Sequence, residues 1–239
     1  MMGSRHAHVT AELGRRIVAG RYAMGTTLPL EADLLHEFAV SRSVLREAIK
    51  SLEAKGLLEA RQRRGTTILP RSNWHFLDMD VLNWIANSGA DPNMLFRLTE
   101  LRAIIEPGAC RLAASRANEN ELRDIENALE RMSAGTENPS EFQNADRDFH
   151  LALLAATGNE YLAALGTAIS AALAASIQQT NPTIHTNRAT LPVHREIMDA
   201  IRNGEGEKAA QASRRQLNET LRSLQLAGSD DGLDNPHGA

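Results

Sequence analysis

From about residue 92 to residue 226, apolar side chains recur at spacings of three and four, as they do when helices bury one face. Asn118, the 135–139 stretch, Gly158-Asn159, Asn181-Pro182 and Gly204 interrupt the period. They divide the region into expected helices at about 92–117, 119–134, 139–157, 160–180, 188–203 and 205–226. Six helices on short connections predict an antiparallel bundle.

The first 70 residues follow another pattern. Residues 9–19 form an amphipathic helix with Leu13, Ile17 and Val18 inward. A short helix follows over 28–35, with Pro29 at its start and acids near its positive end. Phe38-Ala39-Val40 breaks it, and Ser41 can cap the next helix, whose inward face is Val44, Leu45, Ala48, Ile49 and Leu52. Residues 57–60 and 66–69 read as two strands around Arg61-Gln62-Arg63-Arg64-Gly65, where Gly65 relieves the turn. The expected fold is therefore mainly α: a winged helix-turn-helix, then an all-α antiparallel bundle. Its boundaries are 1–70 for the head, 71–91 for a docking segment, 92–227 for the helical domain and 228–239 for a disordered tail. The docking segment holds Trp74, Phe76, Leu77, Met79, Leu82, Trp84 and Ile85, too apolar for a flexible linker, and is expected to pack as core.

Charge sharpens the division. Residues 1–70 carry 11 Lys and Arg against 7 Asp and Glu, and the rest carries 15 against 23. A net +4 head on a net −8 body suits a head that meets phosphate, although scattered surface charge could produce the same balance. Arg42 and Arg46, four apart, share the outer face of the second helix of the motif. That is how a recognition helix presents side chains to a major groove. Arg61, Arg63 and Arg64 suit phosphates or a flanking groove. The single cysteine, Cys110, excludes an internal disulfide, and no apolar run reaches a membrane span or a signal-peptide core. A cytoplasmic protein with no membrane partner is expected.

In the bundle, several polar residues interrupt apolar faces. Arg102 lies on the line Leu95, Leu98, Leu101, Ile105, Ala109, Leu112, with Glu106 one turn on. Asp146 leads Phe149, His150, Leu153 and Thr157; His194 leads Ile197, Met198 and Ile201; Ser213, Gln216 and Thr220 run beside Leu217, Leu221 and Leu224. Buried polar groups are costly unless paired, so their number argues for a shared polar cavity. Asp146 and His150, one turn apart, suit a divalent metal (Zn, Ni or Mn), with His194 as a third ligand. A plain Asp146–His150 hydrogen bond in the core explains the spacing as well. Arg102 has the fork for an effector carboxylate, or for a salt bridge to Glu106 or Asp146.

The stretch "LPLEADLLHEFAVSRSVLREAIKSLEAKGLLEARQRRGTTI" resembles the DNA-binding head of the GntR superfamily of bacterial transcription regulators. The resemblance implies DNA contacts from Ser41, Arg42, Ser43, Arg46, Arg61, Arg63, Arg64, Gly65 and Thr66. The chain departs from the family's pattern at Leu30, commonly Ser, and at Ala32, an Arg in some relatives. "RAIIEPGACRLAA", "DRDFH", the His194 helix and "AAQASRRQ" resemble the FCD ligand-binding domain of the FadR subfamily. In many such domains one Asp and three His hold a metal that helps bind a carboxylate effector. The matching residues are Asp146, His150, His194 and Gln216, so Gln216 replaces the third His. "RSNWHFLDMDVLNWI" resembles galactonate-utilisation repressors of this subfamily, which implies a sugar-acid effector. The expected function is a homodimeric regulator, a repressor of sugar-acid catabolic genes. It would bind double-stranded operator DNA and leave it when a carboxylate effector occupies Arg102, Glu106, Asp146, His150, His194 and Gln216. A metal-dependent enzyme in the helical domain, and a DNA-binding dimer with no effector, are the alternatives. The first is disfavoured by the lack of a separate general base.

Overall fold

The computed structural model describes residues 5–61, 65–88, 93–180 and 183–230. The chain divides into two units, Met1–Asp91 and Pro92–Ala239.

In the first unit, α1 (Arg5–Val18) packs on α3 (Arg42–Ala54), with α2 (Glu31–Phe38) between them in sequence. Leu13, Ile17, Leu34, Leu45 and Leu52 are fully buried where these helices meet. The hydroxyl of Ser41 accepts a hydrogen bond from the Val44 amide at 3.4 Å, so α3 starts where its cap predicts. Helix α2 starts at Glu31, three residues later than expected, after Leu30 at the N-cap position, which supplies no side-chain cap. Strands β1 (Leu58–Arg61) and β2 (Gly65–Ile68) pair antiparallel, Leu58 opposite Ile68 and Arg61 opposite Gly65. Thr27 bridges to Thr67 on the open side of β2. Gly56 turns the chain from α3 into β1 at φ +75°, and a Cβ there would stand 2.1 Å from the Asn73 carbonyl oxygen.

Ala39 closes α2 in the left-handed region (φ 49°, ψ 45°), with its amide donating to the His36 carbonyl at 3.3 Å. Left-handed backbone costs a residue with a Cβ roughly 1–2 kcal/mol. Part of that is regained in the more restricted unfolded chain, so Ala39→Gly should stabilise this unit by about 0.5–1 kcal/mol. Both tryptophans lie in this unit, so their fluorescence during denaturant unfolding reads the change. An unchanged or lower midpoint would contradict it.

The 71–91 segment folds back on the first unit. A short 3-10 turn (Arg71–Asn73) leads to α4 (Met79–Ser88), which packs on α1. A Cβ on Gly14 would stand 2.3 Å from the Trp84 ring, so glycine lets the indole reach the α1 backbone. Asp78 caps α4, accepting from the amides of Asp80 (3.0 Å) and Val81 (3.2 Å), and it pairs with Lys55 at 2.8 Å. The expectation of a wholly packed segment needs correction. Trp74, Leu82, Trp84 and Ile85 are buried, but Phe76, Leu77 and Met79 are exposed. Asp78 is held by Lys55, and its two sequence neighbours are directed outward.

The second unit comprises α5 (Met94–Arg116), α6 (Glu119–Ala134), α7 (Pro139–Ala155), α8 (Glu160–Thr180), α9 (Ile184–Arg202) and α10 (Gly206–Asp230). Phe142 and Phe149 are the largest fully buried side chains, packed with Ile125, Met132, Leu153 and Ile197. Asn118 and Glu121 form a capping box on α6, and Asn138 caps α7 with Pro139 in its first turn.

Three expectations differ from the structure here. Helix α9 begins at Ile184, four residues before the expected start, because Thr183 and Thr186 form a capping box; Pro192 lies inside the helix. On α5 the buried face is Leu98, Thr99, Arg102, Glu106, Ala109, Cys110 and Ala113, whereas Leu95, Leu101, Ile105 and Leu112 are only half-buried. Apolar and charged residues are scattered around α5, so its period selects no face; packing, most extensively against α10, does. Helix α10 continues to Asp230, past the expected helix end at about 226 and into the expected tail from 228, and residues 231–239 lie outside the described ones.

Candidate functional site

Four helices of the second unit converge on one polar cluster. Helix α5 supplies Arg102 and Glu106, α7 supplies Asp146 and His150, α9 supplies His194, and α10 supplies Gln216. All six are buried. One turn of helix separates each same-helix pair, and Phe149 sets its ring edge-on to both imidazoles at 5.7 and 5.1 Å.

The hydrogen bonds assign the protons. His194 Nδ1 lies 2.9 Å from the Thr190 carbonyl oxygen, which can only accept. The ring therefore donates from Nδ1 and presents a lone pair at Nε2. Gln216 Nε2 donates to that lone pair at 2.7 Å. Asp146 Oδ1 stands 2.9 Å from His194 Nε2 and 3.2 Å from His150 Nε2. His150 Nε2 also faces Arg102 Nη2 at 3.0 Å, and a guanidinium can only donate. Both imidazoles thus turn Nε2 toward one carboxylate oxygen, His194 within hydrogen-bond distance. Asp146, His150 and His194 can each offer one ligand atom, all within 4.8 Å of one another. Three ligand atoms converging, with one ring orientation fixed by a backbone carbonyl, fit a divalent cation, which would take the place of protons on the imidazoles.

Arg102 is already engaged. Its Nε donates to Glu106 Oε1 at 2.6 Å, and Glu106 Oε2 lies 3.0 Å from His150 Nδ1, without hydrogen-bond alignment. The Glu106 salt bridge foreseen as an alternative use of Arg102 is therefore formed. Burial raises the Glu106 pKa, but Arg102 and His150 outweigh it and bring it down to about 2. Burial raises that of Asp146 as well, and His194 and His150 hold it well below the carboxylate range. Burial disfavours a charged His150, yet Glu106 and Asp146 raise its pKa above the usual value, against Arg102. Burial pushes the Cys110 thiol up to about 12, an unreactive form.

A cavity of about 200 Å³ opens onto the cluster, reached by Arg102, Asp146, His150, His194 and Gln216. Its outer wall carries Thr186, Thr190, Thr220, Ser223 and Glu219. Apart from Thr220, these were not anticipated, although the spacing of 186, 190 and 194, and of 216, 220 and 223, places each set on one helical face.

In the first unit, Arg42 and Arg46 project from the first turns of α3, their side chains 79% and 67% exposed. Glu31 reaches both, at 3.8 and 3.9 Å. The hydroxyls of Ser41 and Ser43 bond to each other at 2.9 Å. Arg61 pairs with Glu59 at the end of β1, across from Gly65 at φ +81°. The Thr66 carbonyl accepts from the Leu28 amide. Arg63 and Arg64 lie outside the described residues. Among the described residues no helix is long and apolar enough to cross a membrane.

Comparison with known proteins agrees with both halves. Residues 5–68 match the model of the bacterial regulatory proteins of the gntR family, and residues 97–219 match the FCD domain. The galactonate operon transcriptional repressor of Escherichia coli K12 is 38% identical over 217 residues, covering 90% of this chain and 95% of that protein. The uncharacterized HTH-type transcriptional regulator YieP of the same strain is 33% identical, covering 86% and 90%. A solved structure, Streptococcus agalactiae GntR, superposes with a TM-score of 0.52 at 27% identity, covering 90% of this chain and 99% of that one. A winged helix-turn-helix followed by a helical domain with a buried polar cavity, matched along nearly its whole length, makes this chain a transcription regulator of the GntR family with an FCD effector domain.

Proposed function

We infer that the protein is a homodimeric repressor that leaves its operator when a sugar acid enters the FCD cavity beside a bound divalent cation. The observation that carries this reading is the convergence of Asp146, His150, His194 and Arg102 on one cavity walled by hydroxyls. The name of the galactonate repressor, its relative at 38% identity, supports a six-carbon aldonic acid. Asp146, His150 and His194 would hold the cation, which supplies a positive charge for the acid's oxygens. Arg102 then has a second role. With the His150 lone pair committed to a cation, Arg102 Nη2 is released from His150 and keeps only a long 3.5 Å bond to Glu106 Oε2, while Nε stays on Glu106 Oε1. The freed edge of the fork is the donor that a carboxylate needs. Thr186, Thr190, Thr220 and Ser223 offer partners to a polyol chain. An acid that prefers one arrangement of the two heads over another then lowers operator affinity.

A thermal-shift series with galactonate and other aldonic acids, with and without chelator, tests this. At about 100 times Kd an effector adds roughly 2.7 kcal/mol, a rise of about 5–10 °C for a chain of this size. The rise is expected with an aldonic acid and should disappear with chelator. No rise with any acid would sink the effector assignment. A rise that survives chelation would sink the cation's part in it.

A further inference from the structure

Gln216 has a polar atom to spare at the cluster. Its Oε1 is buried without a hydrogen-bond partner, while its Nε2 donates to His194 Nε2 at 2.7 Å. Thr190 dictates this orientation. In the neutral ring, His194 Nδ1 donates to the Thr190 carbonyl, which leaves a lone pair at Nε2 for the amide NH2 end. That lone pair is also the one a cation at Asp146, His150 and His194 requires. It cannot serve both. With a cation at the cluster, the Gln216 NH2 loses its acceptor and turns the positive end of the amide dipole toward a positive charge. The carbonyl, the negative end, remains unpaired in a buried site. A half-turn about the last side-chain torsion reverses both penalties, and that torsion is soft.

We propose that Gln216 is a fourth protein ligand of the cation, through Oε1, after its side-chain amide turns over. This rests on the reading of the Asp146–His150–His194 cluster as a cation site. The resulting donors are two imidazole nitrogens and two oxygens, one carboxylate and one amide. Carbonyl and carboxylate oxygens suit Mn(II), whereas imidazole suits Zn(II) and Ni(II), so Gln216 shifts preference toward the harder ion. The same residue caps His194 when no cation is held, so the cluster stays hydrogen-bonded in both states.

The test is a competition titration of the purified full-length protein against a fluorescent chelator, with Mn(II) and Zn(II) separately. Wild type, Gln216→Leu, Gln216→Glu and Gln216→His are compared, with circular dichroism as a check on folding. Gln216→Leu removes both amide functions and should weaken Mn(II) binding about 10-fold or more. Gln216→Glu keeps an oxygen and loses the donor, so it should bind Mn(II) at least as tightly as wild type. Gln216→His should shift the Zn(II)-to-Mn(II) affinity ratio at least about 10-fold toward Zn(II). Unchanged binding in Gln216→Leu, or equal loss in Gln216→Leu and Gln216→Glu, would overturn the proposal; the second result would leave Gln216 a donor to His194 alone. If the leucine variant does not fold, the glutamate and histidine variants still decide. A wild type that binds neither ion overturns the cation reading, and this proposal with it.

Discussion

Glu106→Ala is expected to destabilise the FCD unit by about 3–5 kcal/mol, because it leaves the guanidinium of Arg102 as a buried, uncompensated charge. Arg102 is 4% exposed, and it pairs with Glu106 through an Nε–Oε1 contact of 2.6 Å. The remaining neighbour, His150 Nε2, is an acceptor without negative charge. Urea unfolding followed by far-UV circular dichroism measures the loss, and a change under about 1 kcal/mol would show that water or another anion replaces the carboxylate. The pH dependence has a fixed sign. The Glu106 pKa falls from 4.5 to about 2 on folding, so its contribution is fully present above about pH 4.5 and is lost as the pH drops toward 2. The difference between wild type and Glu106→Ala should therefore shrink over that window. Metal and effector binding should weaken together in this variant, since an unanchored Arg102 can no longer hold its fork beside His150.

The second large effect lies in the other unit. Arg46→Ala should lower operator affinity by about 1–3 kcal/mol per head, the usual worth of a good arginine contact to a base edge. In a homodimer the two heads together give roughly 2–6 kcal/mol, or about 30-fold to 10⁴-fold. Folding should be unaffected. Arg46 is mostly exposed, and its partner Glu31 lies 3.9 Å away at a solvated surface where such pairs contribute little. Electrophoretic mobility shifts on the natural operator, repeated across salt concentrations, separate two roles. A base contact costs affinity on the operator more than on random DNA. A phosphate contact weakens both alike and reduces the salt slope by about one. Operator affinity equal to wild type would remove Arg46 from the recognition surface.

Local chemistry accounts for much that is readable in the chain alone. The capped start of α3 at Ser41, the strand pair around Gly65 and the breaks at Asn118 and Gly204 depend on residues within a few positions of each other, and the structure has them there. The Asp146–His150 face of α7 and the His194–Ile201 face of α9 follow from clear helical periods, so both faces are buried where the pattern places them. Periodicity fails where it carries no contrast. Helix α5 mixes apolar and charged residues on every side, and packing buries Arg102, Glu106 and Cys110 while Leu101 and Ile105 stay half-exposed. The early start of α9 turns on a Thr183–Thr186 box that an Asn-Pro break conceals. Phe76, Leu77 and Met79 read as core from composition, yet the capping and pairing of Asp78 direct its neighbours outward.

The division within the polar cluster has the same origin. Spacing nominates Asp146, His150, His194 and Gln216 one helix at a time. It does not say that Thr190 presents its carbonyl to His194, that Glu106 takes Arg102, or that the Gln216 carbonyl is left over. The first two are contacts one turn apart whose choice depends on partners 22 to 48 positions away, His150 for Arg102 and Asp146 and Gln216 for His194. Helical period orders side chains around a single axis, whereas proton positions are settled by partners on other axes. The chain thus announces its family and the helices that line its cavity, while packing of α5, α7, α9 and α10 places the ring nitrogens and oxygens on which the proposed cation and effector binding depend.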